Sequence, residues 1–164
     1  MKKYRNPYLF LAGVTILASI GPMHAASACG DSEAPSCGSS GAPEEAQWML
    51  NRAVREVKAD QSKALREFAK GENGFRTMDL YVFCIGPDNK IAAHPNPSLM
   101  GQDAHDLRDQ NGKPFGAEML DSAREGSISE IRYLFPKLGS SVPQPKTSFV
   151  TRVADQVCGV GYYD

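Results

Sequence analysis

The sequence predicts an α+β domain with one antiparallel sheet of five strands, and three observations carry that prediction. A long run with helical period, Glu44 to Lys70, precedes every strand signal; an apolar hairpin, Leu80 to Ala93, follows it; and a short helical segment, Pro114 to Arg124, separates that hairpin from three further strands. Elements in this order place helices on the faces of a sheet made of hairpins.

The hairpin organises the rest. Leu80-Tyr-Val-Phe-Cys-Ile85 is apolar nearly without alternation, so both faces of this strand are expected to be covered and the strand to lie inside the sheet. Gly86-Pro87-Asp88-Asn89 supplies turn residues, Ile91 to Ala93 resumes the apolar run, and Pro95 stops it. His94 stands at the exit and, preceding a proline, is held extended.

Ahead of the domain lies an export signal. Lys2, Lys3 and Arg5 precede the apolar run Tyr8 to Ile20, and Ala26-Ser27-Ala28 offers a small-x-small cleavage site, so residues 1–28 read as a signal peptide removed after Ala28, or after Ala25 as second choice. A retained anchor is the competing reading, but the run is short for a span and Gly21-Pro22 breaks it. Cleavage leaves 15 basic against 19 acidic residues, a net charge of -4. A mildly acidic surface argues against nucleic acid and against a polybasic membrane patch. The expected location is therefore periplasmic or secreted, with a lipid anchor on Cys29 as the alternative.

Residues 29–43, rich in Gly, Ser, Ala and Pro, form a flexible leader. From Glu44, Trp48, Leu50, Val54, Val57, Leu65 and Phe68 fall at helical spacings; Pro43, Glu44 and Glu45 suit a helix start and Gly71 its stop. Asp60-Gln61-Ser62 interrupts the apolar stripe and is read as a kink or as the point where the helix leaves the core. Because Trp48, Leu50 and Val54 lie at the far end, that end is expected to overhang the sheet and to pair with a second copy or a receptor. Beyond the hairpin, Asp109-Gln110-Asn111-Gly112 lacks calcium-loop spacing, since position 107 is Leu, and is read as a turn. Phe115, Met119, Leu120 and Ala123 give the crossover helix its apolar side, and Gly126 stops it. Ile128 to Phe135 is a strand, Pro136 to Pro145 a proline-rich hairpin loop, Lys146 to Val153 an alternating strand expected to be half-exposed, and Val157 to Tyr163 the last strand. Gly159 and Gly161 imply a close approach of backbone or ligand.

Four cysteines in an exported chain read first as disulfides. Cys29 with Cys37 would close a small loop in the leader, and Cys84 with Cys158 would join the first strand to the last; two buried free thiols are the alternative for the second pair. No metal-ligand spacing accompanies them, and no cofactor is expected. Gly-x-Ser-x-Gly, His-Glu-x-x-His and a phosphate loop are all missing from the sequence, so no enzymatic activity is expected.

Leu80-Tyr-Val-Phe, the hairpin into Ala93-His-Pro, Leu99-Met-Gly101-Gln-Asp103, Asp109-x-Asn-Gly-Lys113, Tyr133-x-Phe-Pro-Lys137, Pro145-Lys-Thr-Ser-Phe-Val150 and Gly159-Val-Gly-Tyr-Tyr163, in that order, closely resemble the single Cache domains of bacterial extracytoplasmic sensing over about residues 44–164. The resemblance implies a PAS-like sheet of order 2-1-5-4-3 behind a long N-terminal helix, with a small-molecule pocket between sheet and crossover loops. It also implies ligands that are small carboxylates or other metabolites. Ser127-Ile128 stands where the family usually has an aromatic residue and a glycine. Family members usually carry a transmembrane helix and an output module; this chain ends at Asp164, so a partner is expected to pass the signal on.

Within that resemblance Lys146 faces the ligand as counter-ion, and Tyr81, His94 and Tyr133 orient it, because strands or strand ends bring all four to one side of the sheet. Arg76 and Arg132 are lesser cations. The bland readings are a turn histidine, an edge lysine and two core tyrosines. The expected function is a soluble small-molecule-binding sensory module for a small organic anion; the alternative is an exported adapter of the same fold with no ligand.

Overall fold

In a computed structural model, residues 41–77 and 79–164 are described. The signal peptide, most of the leader, and the pairing or lipidation of Cys29 and Cys37 lie outside them.

Helix α1 runs from Pro43 to Lys70. Proline at its first position gives up no hydrogen bond, and the Glu45 carboxylate reaches back to accept from the Ala42 N–H at 2.8 Å. At its other end Gly71 takes the left-handed conformation, φ 69°, and its N–H closes on Phe68. Asp60 leaves helical geometry (φ −156°, ψ 92°) and its Oδ1 accepts from the Lys63 N–H at 2.9 Å, recapping the second half, so the polar interruption is a kink.

The sheet has six strands: β1 (Arg76–Thr77), β2 (Leu80–Ile85), β3 (Ile91–Ala93), β4 (Ser129–Pro136), β5 (Pro143–Val153) and β6 (Gln156–Tyr163). Their path is β1-β2-β6-β5-β4, all antiparallel, with β3 pairing β2. Apart from β1, which shares an edge of β2 with β3, this is the expected order 2-1-5-4-3. Two residues are too few to carry a period, which is why β1 was not foreseen. Helix α2 (Phe115–Ser122) and two single 3-10 turns, Pro97–Leu99 and Ala104–Asp106, form the crossover.

Alternation along the strands divides the interior in two. One face carries Leu80, Val82 and Cys84 of β2, Phe149 of β5 and Cys158 and Val160 of β6, packed under α1 by Ala46, Met49, Leu50, Ala53, Val57, Ala64 and Phe68. Cys84 and Cys158 are direct cross-strand partners, with Cα atoms 4.1 Å apart, and are joined by a disulfide. The other face, Tyr81, Phe83, Ile85, Ile131, Tyr133, Val150 and Val157, meets α2 and the crossover loops.

Three expectations need correction. The overhang of α1 is absent: Leu50 is fully buried and Val54 packs against the core, because the buried stripe follows alanines 46, 53 and 64, leaving Trp48 alone exposed (61%). Strand β5 is not half-exposed; Lys146 to Thr151 are all buried, since β5 lies between β4 and β6 with covered faces. It also begins three residues early, at Pro143, inside the segment expected to be loop. Prolines are tolerated there because β6 pairs with β5 only from Lys146 onward, so Pro143 and Pro145 have a single ladder neighbour.

Candidate functional site

Strands β2, β4, β5 and β6 bring aromatic and polar side chains into one register. Tyr133, Lys146 and Tyr163 are direct cross-strand partners on β4, β5 and β6, and Tyr81 follows on β2 on the same face. The Lys146 side chain is 1% exposed. Its Nζ donates to the Tyr81 hydroxyl at 2.7 Å and sits 4.0 Å from the Tyr81 ring centroid, 4.8 Å from that of Tyr163 and 5.4 Å from that of Phe135. The stem can cross β6 because position 161 is glycine; a Cβ there would collide with Lys146 Cε and Ser148 Oγ. At Gly159 a Cβ would meet the Phe83 ring and Val150. The close approach implied by both glycines is thus by side chains.

Beside this aromatic cage lies a cavity of about 30 Å3. Tyr81, Phe83 and Ile85 form its floor, Tyr133 and Phe135 one side, Ile91 and His94 another; Leu99, Leu107, Phe115 and Met119 close it from the crossover. One water needs about 10–15 Å3, so the space suits a molecule of few heavy atoms. Phe115 stacks on Tyr133 with centroids 4.3 Å apart. The walls are apolar except where His94, Tyr81 and Tyr133 present polar atoms.

The His94 ring is fixed by local sequence. Nδ1 accepts from the Asn96 N–H at 2.9 Å, a contact that the extended His94-Pro95 pair sets up, so the neutral ring carries its proton on Nε2. The ring meets Tyr81 edge to face, 5.0 Å between centroids. Burial, aided by the Lys146 charge, lowers the His94 pKa to about 4, which keeps the imidazole neutral and Nε2–H a donor. Burial likewise pushes the Tyr81 and Tyr133 phenols upward, so both remain protonated. Tyr133 shares a hydrogen bond with Ser148 Oγ at 2.9 Å, and Tyr163, with its pKa raised to about 12 by burial, donates to the Pro136 carbonyl at 2.8 Å.

Lys146 carries the charge. Burial lowers its pKa to about 7, offset in part by the Asp79 carboxylate. That carboxylate accepts from the Gly41 N–H at 2.7 Å and pairs with Lys137 at 2.9 Å. Burying an ammonium is costly, and an arriving anion would relieve that cost.

Of the four residues named from the sequence, Tyr81, His94 and Tyr133 line the cavity, and Lys146 stands directly behind its wall, reaching it through the Tyr81 hydroxyl. Arg76 is exposed, and Arg132 points outward to pair with Glu130 at 2.6 Å. The pocket was expected between the sheet and the loop from Pro95 to Lys113, which contributes Leu99 and Leu107 to the lining; those two residues, Phe115, Met119 and Tyr163 were not named. Tyr163 could have been found by counting back across the two-residue turn Ala154-Asp155, which sets Lys146 opposite it. Among the described residues no cluster of His, Cys, Asp and Glu could hold a metal ion, and no helix is long and apolar enough to cross a membrane.

Residues 40–163 match the family described as Single Cache domain 2. The methyl-accepting chemotaxis protein McpP of Pseudomonas putida (strain KT2440) is 39% identical over 67 residues; the match spans 40% of this chain and 12% of that protein. A solved periplasmic sensor domain of a chemotaxis protein is 31% identical, with a TM-score of 0.56 over 73% of this chain and 88% of the other. A Cache chemosensory domain, solved as a structural basis for carboxylic acid recognition, is 26% identical, with a TM-score of 0.59 over 73% and 91%. A methyl-accepting chemotaxis protein of Vibrio parahaemolyticus shares the fold, with a TM-score of 0.60 over 73% and 86%, at 20% identity.

Proposed function

Because the chain belongs to the single Cache domain 2 family of sensory domains, we propose that it binds a small carboxylate in the cavity and passes its occupancy to a partner protein. One observation carries this reading: the residues lining the cavity are apolar apart from His94, Tyr81 and Tyr133, and the Lys146 ammonium stands behind them, bonded to the Tyr81 hydroxyl. A carboxylate beside these groups would take the His94 Nε2–H as neutral donor and the Lys146 charge from behind, while the apolar walls take a short aliphatic tail. No cation stands among the lining residues, so a second carboxylate would be buried unpaired. The carboxylic acid recognised by one of the similar Cache domains is chemistry of the same kind.

The same reading puts the protein outside the cytoplasm, with residues 1–28 as a cleaved signal peptide and Cys29 as the alternative lipid anchor. Intact mass of the exported protein tests this; retention of Met1 would overturn it.

The ligand reading is tested by calorimetry with acetate, propionate, butyrate and succinate on wild type and Lys146→Met. Binding of a monocarboxylate that the substitution weakens supports it. Equal affinities remove Lys146 from the site, and no binding of these four anions, nor of any small anion, amino acid or amine in a thermal-shift screen, leaves the adapter in its place.

A further inference from the structure

Strand β4 pairs with β5 alone, so its outer backbone groups need other partners. One turn of the crossover supplies two of them. Asp109 Oδ2 accepts from the Leu134 N–H at 3.1 Å, and Lys113 Nζ donates to the Arg132 carbonyl at 2.7 Å. Between these two anchoring points stands Tyr133, the cavity residue on which Phe115 stacks.

Asp109 is preset for this contact. Its Oδ1 accepts from the N–H groups of Asn111 (2.9 Å) and Lys113 (3.0 Å), leaving Oδ2 turned toward β4. Desolvation, the largest single effect, pushes the carboxyl up, and the bonds from Leu134, Lys113 and Asn111 together outweigh it and hold the carboxyl below the usual carboxylate range. Lys113 is steadied by Glu118 Oε2 at 3.1 Å. Leu107 and Phe115 bracket the turn, and both close the cavity.

The chain on either side of this turn is fixed. The Ile91 N–H donates to Gln102, and the Ala104 N–H to Asn89, tying the incoming chain to the β3 hairpin. At the far side Gly116 lies so close to the Ala104 carbonyl that a Cβ would collide with it. Residues 105–115 therefore form a flap whose two ends meet at Ala104 and Gly116, and whose tip is held to the sheet edge by Asp109 and Lys113. The flap forms one wall of the cavity through Leu107 and Phe115, and it is tied to β4 by two side-chain hydrogen bonds and the Phe115–Tyr133 stack in place of a strand ladder.

We propose that the flap is the entrance to the cavity and that Asp109 is its latch, a positioning residue that acts through Leu107 and Phe115. This rests on the ligand-binding reading for its purpose, but the opening itself can be measured without a ligand. Met119→Cys places a thiol on the cavity wall, where Met119 is buried, and Ala64→Cys places a control thiol under α1, also buried. Each is combined with Asp109→Ala and with the milder Asp109→Asn, and modification by methyl methanethiosulfonate is followed by mass of the labelled peptide. The expected result is an acceleration of at least tenfold at position 119 with Asp109→Ala, a smaller one with Asp109→Asn, and none at position 64. Unchanged rates at 119, or equal acceleration at both positions, would overturn the latch. In a second arm, stopped-flow binding of propionate should show both association and dissociation faster in Asp109→Ala, with dissociation changed more. Propionate bound with unchanged rates overturns the latch, whereas failure of the wild type to bind any carboxylate overturns the ligand reading and leaves the thiol arm to decide the flap.

Discussion

The two faces of the sheet are both buried, yet they are covered by different means and do different work. Under α1, one 28-residue helix lays a stripe of alanine and larger aliphatic residues against strands cross-linked by a disulfide, and the layer is mostly apolar, with Glu67, Thr147 and Gln156 as buried polar residues. On the other face, short turns and the eight-residue α2 cover strands that carry Lys146, Tyr81, Tyr133 and Ser148. A long helix can follow a sheet without gaps, whereas short segments that meet at angles leave a space, and that space is where the polar groups gather. The α1 face holds the fold and the crossover face holds the proposed site; mutations should therefore separate stability from binding.

The largest separation is expected from the disulfide. Cys84 and Cys158 are 74 residues apart in sequence and lie on the α1 face. By loop entropy their link is worth about 4 kcal/mol, less any enthalpic cost. Chemical denaturation of the double variant Cys84→Ala/Cys158→Ala should show a loss of that order, while carboxylate affinity measured under folding conditions stays within about twofold. A large loss of affinity in a fully folded variant would mean that the two faces are coupled.

Lys146→Met should do the reverse. Losing a hydrogen-bonding charge at the site costs about 1.5–3 kcal/mol of binding, roughly ten- to 150-fold in Kd. The fold keeps the aliphatic stem and loses a buried charge, so stability is unchanged or higher. The pH dependence has a definite sign. In the folded protein Lys146 releases its proton near pH 7, whereas in the unfolded chain it does so above pH 10. Between those values the unfolded state holds more protons, so the stability contribution of this group rises with pH across that window and is lost as pH falls to 7. Anion binding favours the charged amine, so affinity should weaken as pH rises above about 7. Denaturation and calorimetry at pH 6, 7, 8 and 9 check both slopes, and Lys146→Met should flatten both.

A smaller effect is expected at Tyr133, whose hydroxyl shares one buried hydrogen bond with Ser148. Tyr133→Phe keeps the stack on Phe115 and leaves Ser148 Oγ without that partner, at a cost of about 1 kcal/mol in stability. Carboxylate binding by calorimetry should change by less than for Lys146→Met, because the phenol is already engaged within the sheet.

How much of this was legible follows from what each signal depends on. Strand β2 announced itself because an unbroken apolar run has no other place than a covered strand, and the capping residues Pro43 and Gly71 bounded α1. The pairing of Cys84 with Cys158 followed from compartment and strand order. Burial of Lys146 was harder to read: Lys146-Thr147-Ser148 looks like a wet edge, and the strand is central because of neighbours contributed by residues far along the chain. The crossover was expected to wall the pocket, but which of its residues do so was not legible, for a related reason. Leu99, Leu107 and Phe115 are single apolar residues among turns, and no local pattern separates a residue that closes a cavity from one that merely anchors a loop. Trp48 misled in the opposite sense, since a large aromatic at helical spacing was read as part of the stripe that the small alanines form.

Trp48 gives the smallest expected effect and the sharpest test of the division between faces. Its ring is 61% exposed, and among the described residues its ring contact is the guanidinium of Arg52, 5.3 Å from the centroid. Arg52 does not depend on it: the same guanidinium lies 4.1 Å from the Phe75 centroid and donates to the Asn73 carbonyl at 2.6 Å. An exposed cation–π contact is worth about 0.5–1 kcal/mol at most, and part of it is retained through Phe75. Trp48→Ala should therefore change monomer stability by less than about 0.5 kcal/mol and leave carboxylate binding untouched. Leu50→Ala, two residues further and fully buried, should cost about 2–5 kcal/mol. The comparison is made by denaturation at two protein concentrations tenfold apart. A cost at Trp48 above 1 kcal/mol that grows with concentration would show that a second copy covers this residue, and the outer face of α1 would then be an interface after all.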